Sequence, residues 1–273
     1  MPYTIFARNP IDVNLDLSNR VAIVCGSTQG IGRSAALGLA KMGANVIAVA
    51  RNENKLRGLV EELKAINDAG HSYVTADFSN PGGLNEALAT GIKSEKIDIL
   101  INNTGGPPGG LAIDAYPDDF RSAFEMHLIC NQVLAKFSVP RMKKSGYGRI
   151  INIISTSVKQ PLANLGVSNT IRGAVANWSK TLANELGQFN ITVNNVLPGP
   201  TDTARLTAIA QKKAESSGKT PDEIITAMGN ATPMNRIGTP EEVANAVCFL
   251  ASPAASYING INLPVDGGRT GSL

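Results

Sequence analysis

Hydrophobic positions along the chain come in short β-branched runs. Longer stretches, with apolar residues at helical spacing, separate them. The runs are VAIVC (21–25), VIAVA (46–50), SYVTA (72–76), IDILIN (97–102), RIINII (149–154), ITVNNV (191–196) and INLPV (261–265). Runs without regular polar alternation are expected to be buried on both faces, as strands of a parallel sheet with helices on each side. The intervening stretches predict a helix from about Gly30 to Lys41, a charged helix over ENKLRGLVEELKAI, and long helices over Phe120–Lys143 and Gly166–Leu186. This order predicts an α/β fold, a doubly wound seven-stranded parallel sheet. The alternation breaks between Ala204 and Pro240, where the polar QKKAESSGKTPDE predicts a helical lid at about 204–238. Residues 1–16 read as an irregular arm and 17–273 as a single domain.

Composition narrows the functional classes. The chain has 273 residues, 43% hydrophobic and 17% charged, which suits one large core. Its net charge of +3 is small and its basic residues are dispersed, which argues against nucleic acid as a partner. Arg141, Lys143 and Lys144 form the exception. They are either a solvated helix end or a landing point for an acidic partner such as an acyl carrier. Cys25, Cys130 and Cys248 lie in apolar contexts. An odd number without metal-ligand spacing points to buried thiols, a reducing compartment and no metal. No run approaches the length of a membrane span, and MPYTIFARNPIDVNLDL lacks the layout of a signal peptide. A cytoplasmic protein is expected.

Gly26-Ser27-Thr28-Gln29-Gly30-Ile31-Gly32 follows the first run directly and opens the first helix. Glycines there permit a tight turn and let backbone approach a pyrophosphate. The helix N-terminus adds free N–H groups and a partial positive charge. Such a turn can also serve strand–helix packing alone, but at the head of a βαβ unit it points to a dinucleotide and a Rossmann-type sheet. Cofactor choice turns on the end of the second run, Val49-Ala50-Arg51-Asn52. A carboxylate there would bond the 2′-hydroxyl of NAD and repel a 2′-phosphate. Arg51 attracts that phosphate and can bond it twice, which favours NADP(H) over NAD(H). The plainer reading of Arg51 is a solvated residue at a helix start.

The glycine turn resembles the Thr-Gly-x-x-x-Gly-Ile-Gly motif of the short-chain dehydrogenase/reductase family, with Cys25 in place of the threonine. Asn102-Asn103-Thr104-Gly105 resembles the family's Asn-Asn-Ala-Gly. Pro198-Gly199-Pro200-Thr201-Asp202-Thr203 resembles its nicotinamide-holding segment. The stretches 235–242 and 265–268 resemble its C-terminal signatures. These fall in the family's order between about Leu17 and Gly268, and the chain looks closest to a β-ketoacyl-acyl-carrier-protein reductase-like subgroup. The resemblance implies a cofactor site made by Gly26, Ser27, Thr28, Gly30, Ile31, Gly32, Arg51, Asp77, Asn103, Gly105, Arg172, Pro198, Gly199, Thr201 and Thr203. Asp77 would bond the adenine amino group, cap the following helix, or both. The resemblance also implies a homo-oligomer, a tetramer, packed through the two long helices and the last strand.

In that family a serine after the fifth strand orients the carbonyl. A tyrosine thirteen residues on donates the proton, and a lysine four further on lowers the tyrosine pKa and binds ribose. An asparagine on the preceding long helix completes a water relay. Ser155 matches the serine, but the next two positions hold Ser168 and Arg172, and the asparagine position falls on His127. A serine hydroxyl is a far weaker acid than a phenol and falls a ring short of the substrate. Arg172 keeps a cation but does not release its proton. Members that reduce 2,4-dienoyl-CoA also carry a serine here and use a tyrosine eleven residues upstream, where this chain has Ser157. His127, as an imidazole titrating near neutrality, is a candidate donor; alternatively it only bonds a carbonyl or a water.

Three readings follow. The first is an NADP(H)-dependent oxidoreductase of carbonyl or alcohol substrates, β-ketoacyl compounds among the candidates, with Ser155, Ser168, Arg172 and His127 in a non-standard proton-delivery site. The second is an NADP(H)-binding protein with little turnover, and the third a non-redox scaffold in an oligomer. The partner of the first is a small carbonyl or acyl compound that the sequence does not identify.

Overall fold

The apolar runs become strands β1 (Val21–Cys25), β2 (Asn45–Ala50), β3 (Ser72–Thr75), β4 (Ile99–Asn102), β5 (Gly148–Ile153), β6 (Ile191–Pro198) and β7 (Asn262–Val265). The computed structural model describes residues 13–272. Most of the expected arm, residues 1–12, lies outside the described residues, and 13–16 have no regular structure. All seven strands are parallel in one sheet of order β3-β2-β1-β4-β5-β6-β7. This is the expected doubly wound Rossmann-like fold.

Every residue of β1 is buried, because successive side chains enter different cores. Ala22 and Val24 join Val46, Ala48, Ile99 and Ile151 against helices α1 (Gly30–Lys41), α2 (Glu53–Ile66) and α9 (Pro240–Ala251). Val21, Ile23 and Cys25 join Ile47, Val49 and Leu100 on the other face. There they meet α3 (Pro81–Gly91), α5 (Cys130–Ser145) and α6 (Gly166–Leu186). Leu17, fully buried, ties the chain before β1 to Met42 through a backbone bond of 2.7 Å. Strand β7 lies at the sheet edge, which accommodates Pro264 because the missing N–H faces no partner strand.

One expected helix is corrected. The stretch 120–143 is not a single α-helix. It comprises the end of α4 (Pro117–Phe124), a π-helical turn over Glu125–Ile129, and α5. Such turns insert an extra residue and are frequent at functional sites, and this one carries His127. The predicted helical insertion forms α7 (Ala204–Ser217) and α8 (Pro221–Asn230). Among the described residues no helix is long and apolar enough to cross a membrane. No cluster of metal-binding side chains occurs there.

All three cysteines are buried and unpaired, and burial pushes each thiol upward. Arg141 and Lys143 end α5 over the rings of Phe137 and Phe189, consistent with a helix end whose side chains lie along the protein's own surface.

Candidate active site

In a doubly wound sheet the crevice opens where the strand order reverses, here between the carboxyl ends of β1 and β4. The glycine turn leaves β1 at that point, and Asn103–Gly105 leaves β4 opposite it. Gly26 and Gly30 adopt positive φ of 58° and 52°. A Cβ on Gly26 would lie 2.6 Å from the Asn103 carbonyl oxygen, and one on Gly32 would lie 2.2 Å from the Gly26 oxygen. Asn103 fixes the turn by donating from Nδ2 to the carbonyls of Cys25 and Gly26, both at 3.3 Å.

The first turn of α1 has no side-chain cap, so its N–H groups are open to an anion. The Cβ side of Gly105 is open space. Thr203 closes the far wall, 3.0 Å from a Cβ placed on Gly30. Its hydroxyl accepts from Leu206 N–H at the start of α7 and donates to the Thr201 carbonyl at 3.3 Å. These features fit a dinucleotide with its pyrophosphate on α1.

Several expected cofactor residues take more specific places. Ser27 is fully buried, and its hydroxyl faces the Val49 carbonyl at 3.5 Å. Its side chain lies against β2. Arg51 is exposed beside Asn52, which caps α2, and it makes no hydrogen bond or ion pair among the described residues. Asp77 does not cap α3; Asn80 does. The Asp77 carboxylate accepts from Ser79 N–H at 2.9 Å, which lowers its pKa, and the nearby Arg51 cation adds to that. Thr28 and Ile31 are half-buried on the turn, and Pro198, Gly199 and Thr201 line up at the end of β6. Gly199 packs so closely on Asp266 that a Cβ there would lie 2.6 Å from its Cα.

On the other side of the crevice, Ser155 follows β5 and its Oγ accepts from Ser157 N–H at 3.1 Å. Ser168 and Arg172 sit one helical turn apart on α6, both buried. Arg172 Nη1 donates to the Ile153 carbonyl at 3.3 Å, two residues before Ser155, while its Nε is buried without a partner. Burial, then the charge of Arg205, lowers Arg172 to about 10, so it remains a cation at neutral pH. His127 Nδ1 lies 2.7 Å from Thr104 Oγ1, and its Nε2 is buried without a partner.

The expectation that His127 titrates near neutrality is corrected. Burial, with Arg172 and Arg205 beside it, pushes it down to about 3. An imidazolium is therefore not available there at neutral pH. Tyr116 is exposed at the start of α4, Tyr147 gives its hydroxyl to the Ala251 carbonyl at 2.7 Å, and Tyr257 is fully exposed.

Two features were missed from sequence. Arg205, in the first turn of α7, reaches back to donate to the Pro107 carbonyl at 2.9 Å. It stands two residues after Thr203 in a segment otherwise read only as a lid. The second is a ladder of asparagines beneath the crevice. Asn102 donates to Asn152 at 2.8 Å, Asn152 to Asn195 at 2.9 Å, and Asn195 to Asn262 at 2.8 Å. These four residues are register partners across β4–β7, so their side chains stack on one face. Asparagines near the ends of successive runs were the available signal.

Residues 26–270 match the family described as Enoyl-(Acyl carrier protein) reductase. The chain is 34% identical over 256 residues to 3-oxoacyl-(acyl-carrier-protein) reductase FabG of Rickettsia bellii, covering 93% of this chain and 98% of that one. It is 33% identical over 262 residues to 7alpha-hydroxysteroid dehydrogenase of Escherichia coli K12, covering 95% and 98%. Among solved structures, L-sorbose reductase from Gluconobacter frateurii, complexed with NADPH and L-sorbose, aligns with a TM-score of 0.88 at 31% identity, covering 95% of this chain and all of that one. With the fold, the glycine turn and these relatives in agreement, the chain belongs to the short-chain dehydrogenase/reductase family.

Proposed function

We propose an NADP(H)-dependent oxidoreductase of carbonyl or alcohol substrates in which the usual phenol acid is absent and proton delivery is non-standard. The observation that carries this is the intact cofactor crevice beside a pair, Ser168 and Arg172, that holds a cation and no titrating acid. Relatives and a neighbour named as reductases, and two neighbours solved with NADPH, support the cofactor and the reaction class. NADP(H), when bound, supplies the hydride.

The chain's own groups do the rest. Ser155 Oγ hydrogen-bonds the substrate oxygen, and Arg172 stabilises negative charge developing on it. Thr104 donates its hydroxyl to His127 Nδ1, which keeps the ring proton on Nε2. Neutral His127 then acts as a hydrogen-bond donor, and the net proton comes from water. Arg51 holds the 2′-phosphate. Helices α7 and α8 act as the lid of a single Rossmann-type domain over 17–273, and the working form is a homotetramer.

The depressed His127 and the proton-retaining Arg172 also favour a second reading, an NADP(H)-binding protein with little turnover. Following NADPH oxidation over a panel of ketones, keto acids and enoyl thioesters separates the two. Tight NADPH binding with no oxidation on any of them selects the second.

A further inference from the structure

Two guanidinium groups converge beside neutral His127 with no carboxylate to match them. Arg172 is only 8% exposed, and its Nε has no partner. Arg205 comes from the opposite wall, held by the Pro107 carbonyl, and a Cβ on Gly106 would lie 2.8 Å from its Nη2. Thr104, two residues before Gly106, bonds His127. One short loop thus touches both His127 and Arg205, while Arg172 approaches from α6. Among the described residues neither arginine has an acidic partner within ion-pair distance. Burial and the neighbouring charge of Arg205 lower Arg172, whereas Arg205 itself is solvent-exposed. A buried cation without a counterion is costly, and a neutral imidazole does not offset it.

We propose that the carbonyl end of the crevice takes an anionic substrate, one carrying a carboxylate or phosphoryl group near its reacting carbon, with Arg205 and Arg172 as the anion's holders. A guanidinium presents two parallel N–H donors that match either group. The cofactor's own anions have other places, the pyrophosphate at the start of α1 and the 2′-phosphate at Arg51. The proposal rests on the oxidoreductase reading of this crevice, but binding of an inert anion can be measured without turnover.

Calorimetry on the full chain saturated with NADP+ would use malonate, inorganic phosphate and the neutral malonamide. Malonate or phosphate should bind and malonamide should not. The stronger of the two anions identifies carboxylate or phosphoryl as the natural group. Arg205→Gln should weaken the anion about tenfold to a hundredfold, as expected for a lost hydrogen bond between charged groups, with NADP+ affinity retained. Arg205→Lys, which keeps the charge and loses the fork, should recover part of it. Arg205 stands on an exposed first turn, so these changes leave the core filled.

Equal binding of malonate and malonamide, or no anion binding, would overturn the proposal. So would Arg205→Gln without effect on the anion. An equal loss of NADP+ affinity in Arg205→Gln would also overturn it, by assigning Arg205 to the cofactor. A failure of NADPH oxidation with both an oxo acid and its methyl ester counts against the oxidoreductase reading alone, since the calorimetry stands apart from it.

Discussion

The two halves of the sheet hold the crevice by different means. Around β1 and β2 the contacts are made by backbone and by apolar packing, and the glycines of the turn are fixed by the absence of side chains. Around β4–β7 the work falls to side chains: an asparagine ladder, Ser155, Ser168, His127 and two arginines. In the proposed reading, the second half is also where proton delivery is non-standard. Backbone sites tolerate only glycine where a Cβ would collide. Side-chain sites depend instead on what each side chain meets, and Ser168 and Arg172 fill buried positions on α6.

The largest expected effect is a gain in the second half. Ser168→Tyr with Arg172→Lys should raise ketone reduction about a hundredfold to ten-thousandfold, the usual worth of a positioned acid. No gain in NADPH oxidation, in a folded double variant, would place the limitation elsewhere than proton supply. In the first half, Gly32→Ala drives a Cβ into the Gly26 carbonyl. It should weaken NADPH binding about a hundredfold, matching roughly 3 kcal/mol of overpacking. Near-normal binding by calorimetry would show that the turn gives more readily than its contacts imply.

A smaller change is expected at Arg51. Arg51→Asp should cost NADPH about tenfold to a hundredfold and spare NADH. Equal wild-type affinities for the two cofactors would remove the basis for the 2′-phosphate assignment.

Stability sharpens the same contrast. Asn152→Ala leaves the Asn102 and Asn195 side chains each short of a ladder partner and should cost about 1–3 kcal/mol, read as a fall in Tm. An unchanged Tm would mean water replaces the ladder. The last effect concerns pH. The folded pKa of His127 is near 3, below its ordinary value of 6.5. Between those values the unfolded chain binds a proton that the folded chain does not, so stability is lost as pH falls from about 6.5 toward 3. His127→Asn should flatten that part of the Tm–pH curve and leave the curve above neutrality as it was.

The sequence by itself determined the strands, their parallel pairing and the glycine turn. These follow from local rules: buried β-branched runs, and a turn that only glycine fits. Resemblance to the family's pattern pointed to Ser155, Ser168 and Arg172, which lie close together in sequence at one strand end and one helix. Only the tertiary structure decided what those groups and their neighbours are chemically. The π-helical turn at 125–129 depends on hydrogen bonding that residue spacing does not encode. The low pKa of His127 comes from burial and from cations on α6 and α7, 45 and 78 residues away in the chain (172 − 127 and 205 − 127). Arg205 acquires its place by reaching a carbonyl 98 residues distant. Solvent exclusion and charge proximity are properties of the folded interior, and no pattern along the chain carries them.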